Sequence, residues 1–175
     1  MLALIDEGDV HPTVEDVADR AGVAPRTVFQ HFATRETLFA AVNERHMERL
    51  APLLADPDTA DAPLARKLDA FVERRAELYE AMTPVRRAAR HMAPLSKTCE
   101  RAMHALQARK RDQAVRLFEP EIRAHPRAVR DELCAAVGAA ASWSMWDALR
   151  SEQGISVRAA SAAMRRTLDG LLARR

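Results

Sequence analysis

Apolar residues recur at three- and four-residue spacing along nearly the whole chain, and no window alternates with the period of two that marks a strand. The pattern predicts an all-α protein of about nine helices. Leu2 to Glu7 reads as a short first helix. Val14, Val17, Ala18 and Ala21 mark a second over residues 13–21, with Thr13 at its N-cap and Asp16 three residues on in a capping-box pattern. Gly22 stands where a helix ends in left-handed backbone. Val23 is expected to plug the turn that follows. Pro25 falls at the first position of a third helix, over residues 25–31, where its missing N–H does no harm. Val28 and Phe32 are expected to point inward from it. Thr34 caps a fourth helix that runs to about Leu53.

Beyond this point the helices lengthen. The stretch ADPDTADAP, residues 55–63, has the Asp and Pro chemistry of a loop. Leu64, Leu68, Phe71, Leu78 and Met82 follow a helical stripe. Thr83 and Pro84 are expected to restart the chain as a separate short helix reaching Met92. Pro94 and Ser96 open a long helix through Cys99, Met103, Leu106, Val115 and Leu117. Pro120 and Pro126 bracket a break. One helix is then expected over about 127–150, carrying Val129, Leu133, Val137, Ala140, Trp143 and Leu149. Gly154 closes it, and Ser156 caps a last helix with Val157, Ala160, Met164, Leu168 and Leu171. The expected organisation is a head over residues 1–46 and a body over 47–175, with the loop at 55–63 as the clearest break near that boundary.

Composition supports helices and narrows the class. The 175 residues hold only five Gly, too few for a turn-rich β protein. No apolar run reaches membrane-spanning length, and no secretory leader or lipidation motif appears, so a cytoplasmic protein with no membrane partner is expected. Cys99 and Cys134 lack metal-ligand spacing and read as two free thiols. The net charge of +2 gives little hint of nucleic acid. Residues 1–45 are in fact acidic, with four Arg (Arg20, Arg26, Arg35, Arg45) against eight acids (Asp6, Glu7, Asp9, Glu15, Asp16, Asp19, Glu36, Glu44). A phosphate backbone tolerates such a surface only if the cations face it and the acids face away. Backbone N–H groups at the starts of the helices at Thr13 and Thr34 could also hold phosphates.

The third helix carries the sharpest chemistry. Arg26, Thr27, Gln30 and His31 give its outer side four hydrogen-bonding side chains. A short helix of this kind, propped by another through a Gly turn, has the geometry that enters a major groove. The run V-x-x-V-A-x-x-A-G-V-x-x-x-T-V-F-x-H-F-x-x-[RK]-E-x-L, carried by Val14, Val17, Ala18, Ala21, Gly22, Val23, Thr27, Val28, Phe29, His31, Phe32, Arg35, Glu36 and Leu38, resembles the DNA-binding segment of the TetR family of transcriptional regulators. The resemblance covers about the first quarter of the chain.

It implies an N-terminal three-helix helix-turn-helix DNA-binding domain followed by a helical ligand-binding and dimerisation domain. It also implies a double-stranded DNA operator as partner, a small hydrophobic or amphipathic ligand, a homodimer and no cofactor. Carried over residue by residue, Thr27 contacts phosphate or a base, and Arg26 and Gln30 read sequence. His31 and Arg35 touch phosphate; Thr13 joins these candidates through the backbone N–H groups at its helix start, not through the resemblance. Phe29 stands where the family often has Tyr, and Ala24 where Ser often caps the recognition helix. The family's longer first helix and basic tail are represented only by MLALIDE ahead of Gly8, so either the chain begins late or upstream residues belong to it.

The remaining expectations concern the body. Small residues at 135–142, AAVGAAAS, let helices approach closely, and Val137, Ala140, Ala141, Met164 and Leu168 are the expected dimer contacts. A ligand pocket is expected among Phe71, Arg75, Tyr79, Met82, His91, Met103, Gln107, Trp143 and Trp146, because Met and aromatic side chains make adaptable walls. Arg75 falls within the apolar stripe, and a buried Arg needs a partner, either an internal acid or a ligand carboxylate. The basic run Arg109, Lys110, Arg111 reads as a solvated face. No Ser-His-Asp set, phosphate loop or metal-binding run appears, so no catalytic or metal residue is assigned and the chain reads as a regulator, not an enzyme. The alternatives are a helical protein that sequesters a hydrophobic ligand without binding DNA, and a small-molecule enzyme working through a His or Arg in the pocket.

Overall fold

The computed structural model describes residues 1–55, 59, 61–92 and 97–173. Among these residues the chain forms ten α-helices and no strand: α1 (Leu2–Asp6), α2 (Val14–Ala21), α3 (Pro25–His31), α4 (Arg35–Leu50), α5 (Leu64–Met92), α6 (Lys97–Leu117), α7 (Glu119–Arg123), α8 (Arg130–Ala140), α9 (Trp143–Asp147) and α10 (Val157–Leu172). No described helix is long and apolar enough to cross a membrane. The chain gathers into two compact units. The first is Met1–Pro52 with Glu80–Met103, the second Leu53–Tyr79 with His104–Arg175. Each unit is discontinuous because α5 and α6 both contribute to both.

The first unit holds two small apolar cores. Ala18, Val28 and Leu38 meet where α2, α3 and α4 converge, with Met1, Val14, Val17 and Phe32 packed around them. Ile5, Phe39, Val42, Val85, Ala88 and Ala89 form the other, with Met1, Leu2 and Met103 against it. Paired charges fasten α1 on both sides. Arg20 grips Glu7 through two hydrogen bonds of 2.8 and 2.6 Å, and Arg49 grips Asp6 through two of 2.7 and 3.0 Å. His46 is buried beside this second pair, its Nδ1 3.3 Å from Arg49 Nη2. Burial pushes its imidazole down to about 4, and the neighbouring Arg49 charge acts the same way.

The second unit is built on larger side chains. Phe71 packs edge-on to Phe118 at 5.2 Å, and Tyr79 lies 6.1 Å from Trp146. Val137, Trp143, Trp146, Met164 and Leu168 are almost wholly buried. Lys67 is also buried and bonds Glu121 of α7 at 3.0 Å. Nothing in the sequence pattern points to this pair, because Lys67 sits one residue before an apolar stripe residue and Glu121 beside a proline.

Several elements depart from expectation, each for a local reason. α5 runs unbroken through Pro84. Met82, Val85, Ala88 and Ala89 keep a helical register on its buried side across the proline, and their burial offsets the lost hydrogen bond. The helix expected over 127–150 breaks after Ala140. Ser142 turns its hydroxyl onto Met145 N (3.1 Å) to cap α9, and the Tyr79 hydroxyl donates to the carbonyl of Ala141 at the break. α7 begins just before Pro120 and carries it in its first turn, where a proline costs nothing. Val23 does not plug its turn: its backbone N–H closes the turn onto Ala18 O, and its side chain is exposed. Lys110 leaves its expected solvated face. It shares the inward side of α6 with Ala114 and is buried, whereas Arg109 and Arg111 are exposed.

Candidate nucleic-acid interface

The geometry of α3 is set from the chain on either side of it. Thr13 caps α2 in a full capping box: its hydroxyl accepts from Asp16 N at 3.1 Å, and its own N–H donates to Asp16 Oδ2 at 2.8 Å. The bonds from Thr13 hold the Asp16 carboxyl below its ordinary range. At the far end Gly22 takes φ 67°. Gly22 N then donates to Asp19 O and Val23 N to Ala18 O, the two bonds of a Schellman turn. Pro25 opens α3, and Ala24 gives it no side-chain cap. Val28 pins the helix to Ala18 and Leu38.

With Val28 facing in, helical geometry turns Arg26 and Gln30 outward. Both are exposed, and neither makes a side-chain hydrogen bond among the described residues. Thr27 is half-buried and His31 exposed on one flank of that face, and Phe29 is exposed on the other. The start of α4 lies beside this helix in sequence. Thr34 caps it through Thr37 N at 3.1 Å, and Arg35, also exposed, donates from Nη2 to Pro12 O at 3.2 Å. That bond ties α4 to the residue just before the α2 cap. Of the seven residues expected at DNA, six are thus exposed or half-exposed on α3 and the start of α4. Thr13 is exposed as well, but its hydroxyl is committed to the cap.

The electrostatics sharpen which cations are available. Arg20 is held by Glu7 and Arg45 by Glu48 (2.8 Å). Arg26 and Arg35 remain as the cations of this surface. The acids noted in the sequence are partly drawn into structure: Glu7 and Asp6 onto arginines, Asp16 onto Thr13, Asp9 onto His11 N.

The predicted ligand residues divide between the units. Phe71, Arg75, Tyr79, Gln107, Trp143 and Trp146 belong to the second, Met82, His91 and Met103 to the first. The side chain of His91 lies outside the described residues, as does that of Cys99. Met103 packs against the Ile5 core. In the second unit Arg75 is buried with its guanidinium 4.8 Å from the Phe71 ring and 5.9 Å from that of Tyr79, and its Nη2 donates to Lys110 O at 2.8 Å. Lys110 Nζ lies 4.9 Å from the same Tyr79 ring. Sequence spacing brought out Arg75 but not Lys110, which its two exposed basic neighbours disguise.

The five expected dimer contacts, Val137, Ala140, Ala141, Met164 and Leu168, are all buried within the single chain, where α8 packs on α10. Their side chains belong to the interior of the single chain. Gly138 is likewise used within the chain: a Cβ there would stand 2.6 Å from Arg111 Cγ.

Fold and surface define a class: an all-helical protein whose N-terminal helix-turn-helix offers a polar face to a nucleic acid. Residues 2–42 match the family model described as bacterial regulatory proteins, tetR family. That match covers the N-terminal DNA-binding segment, so residues 2–42 form a TetR-type helix-turn-helix. No curated protein and no solved structure matches it.

Proposed function

We propose that the chain acts as a homodimeric repressor that binds a palindromic operator and leaves it when a small amphipathic ligand binds. The head, residues 1–46, reads DNA, and residues 47–175 bind the ligand and pair the subunits. One observation carries the DNA side: Arg26 and Gln30 face outward from a helix pinned at Val28 and fixed by the Gly22 turn, with their hydrogen-bonding groups unused inside the chain. Arg matches the O6/N7 edge of guanine and Gln the N6/N7 edge of adenine. A single seven-residue helix reads too few base pairs for an operator, and two copies reading successive major grooves supply the rest.

The pairing surface fits the outward sides of α8 and α10, where Ala135, Ala139, Ala159 and Ala162 are exposed. The ligand side rests on two buried cations, Arg75 and Lys110, grouped around Tyr79. Such a group suits an aromatic or aliphatic acid. Ligand and DNA then weaken each other's binding by the same factor. One observation favours a second reading, a ligand-sequestering protein that binds no DNA: Arg20 and Arg45 are taken up by Glu7 and Glu48, which leaves the head few cations for phosphate.

Selection of duplexes from a random pool by the purified chain separates the two. The repressor reading expects an inverted repeat with half-sites about one turn of DNA apart, bound by two copies. It also expects release by members of a panel of small carboxylic acids, and loss of that release in Arg75→Leu with operator binding intact. A pool that yields no enriched duplex removes the repressor reading and leaves the sequestering one.

A further inference from the structure

We propose that Phe29 reads the C5-methyl group of a thymine in the major groove. This rests on the DNA reading of α3 and adds to it the base that an apolar side chain recognises.

Phe29 is 50% exposed, more than any other large apolar side chain among the described residues. It belongs to neither core of the first unit: Val28 and Phe32 fill the inward side of α3, with Val14, Val17 and Leu38. Its position on the helix decides what it can meet. At about 100° per residue, Arg26 and Gln30 lie opposite Val28. Phe29 then falls beside Arg26, on the flank away from Thr27 and His31. A phenyl ring has no donor for a phosphate oxygen, so this flank cannot hold the backbone as a hydroxyl would. The apolar group that a base edge displays in the major groove is the thymine methyl, and Phe is among the side chains that contact it. Docking α3 between two polar walls would leave the ring in water or against charge unless such a group lay beneath it. A methyl there turns a solvent-exposed ring into buried apolar surface, and discriminates thymine from any base without it.

The test uses a duplex selected by the full chain from a random pool. Each thymine is replaced singly by deoxyuridine, which removes the methyl and leaves every hydrogen-bonding group in place. For the natural chain, one thymine position per half-site should lose about fourfold in affinity on replacement, the factor that burial of one methyl-sized group gives. Phe29→Ala should bind thymine and uracil duplexes alike at that position. Phe29→Tyr, which keeps the ring, should still discriminate. The exposure of Phe29 lets both variants keep their fold, checked by their helical circular dichroism. If no thymine position distinguishes the two bases, or if Phe29→Ala discriminates as the natural chain does, the assignment falls while the DNA reading stands. If Phe29→Ala lowers self-association and leaves the thymine–uracil difference intact, the ring serves a second copy of the chain and the assignment also falls. A chain that enriches no duplex overturns the DNA reading and this assignment together.

Discussion

The two units handle charge in opposite ways. Three ion pairs of the first unit lie at its surface: Arg20 with Glu7, Arg49 with Asp6 and Arg45 with Glu48 are all substantially exposed. Arg26 and Gln30 on α3 are exposed and make no side-chain hydrogen bond among the described residues. The second, besides surface pairs of its own, draws Lys67, Arg75 and Lys110 almost wholly inside. There each finds something internal: Glu121 for Lys67, the Phe71 ring and a carbonyl for Arg75, the Tyr79 ring for Lys110. Burying a charge without such a partner would cost several kcal/mol. A surface side chain carries no such obligation, so its hydrogen bonds stay available to a molecule that arrives. Under the proposed function the first unit meets the large polar partner and the second the small acidic one.

The contrast is broken most readily at its strongest pair. Glu121→Ala strands the buried Lys67 ammonium and should cost about 3 kcal/mol. Glu48→Ala, at an exposed pair, should cost at most about 0.5 kcal/mol. Urea unfolding of both variants, followed by the fluorescence of Trp143 and Trp146 for the first and by circular dichroism for the second, measures the difference. Similar small losses in both would show that Lys67 is solvated after all.

His46 is the first unit's own exception, a titratable group buried beside Asp6 and Arg49. Its folded value of about 4 lies below the ordinary 6.5, so the unfolded chain binds the extra proton between those values. Stability from this group is therefore complete above about pH 6.5 and falls as the pH drops toward 4. His46→Leu should flatten that part of the pH–stability curve. A curve of unchanged slope would mean that His46 reaches water in solution.

Two glycines give small effects of opposite sign. Gly22 holds φ 67°, and an added Cβ would touch nothing within 4 Å. Gly22→Ala thus bears only the left-handed backbone cost, about 1 kcal/mol. Gly170 lies in exposed helix with equal space around it. Gly170→Ala should stabilise by roughly 0.5–1 kcal/mol. Thermal melts of the two variants should move in opposite directions.

What could be foreseen along the chain follows the same division. The head was legible because its signals are local: Thr13 with Asp16, Gly22, Pro25 and Thr34 each fix the backbone within a few residues, and each stands where expected. The second unit was less so, because its devices act between residues far apart. Nothing near Ser142 announces that Tyr79 will hold the carbonyl at the α8 end, and nothing near Lys67 points to Glu121. Pro84 misled for a related reason, since burial of residues around it outweighs a local rule. The residues expected as dimer contacts on α8 and α10 show how pattern reading works: a stripe of small and apolar residues marks the buried side of a helix, and here that side packs within the single chain.

The most direct test of α3 as the reading element compares Gln30→Ala with Arg35→Ala on a panel of duplexes that differ at single base pairs, each over a range of salt. A groove-reading α3 predicts that Gln30→Ala loses preference at one base pair per half-site, with the salt slope unchanged. Arg35→Ala should weaken every duplex alike and flatten the slope by about 0.9 per head. Equal losses from both variants on every duplex, or none from either, would contradict it.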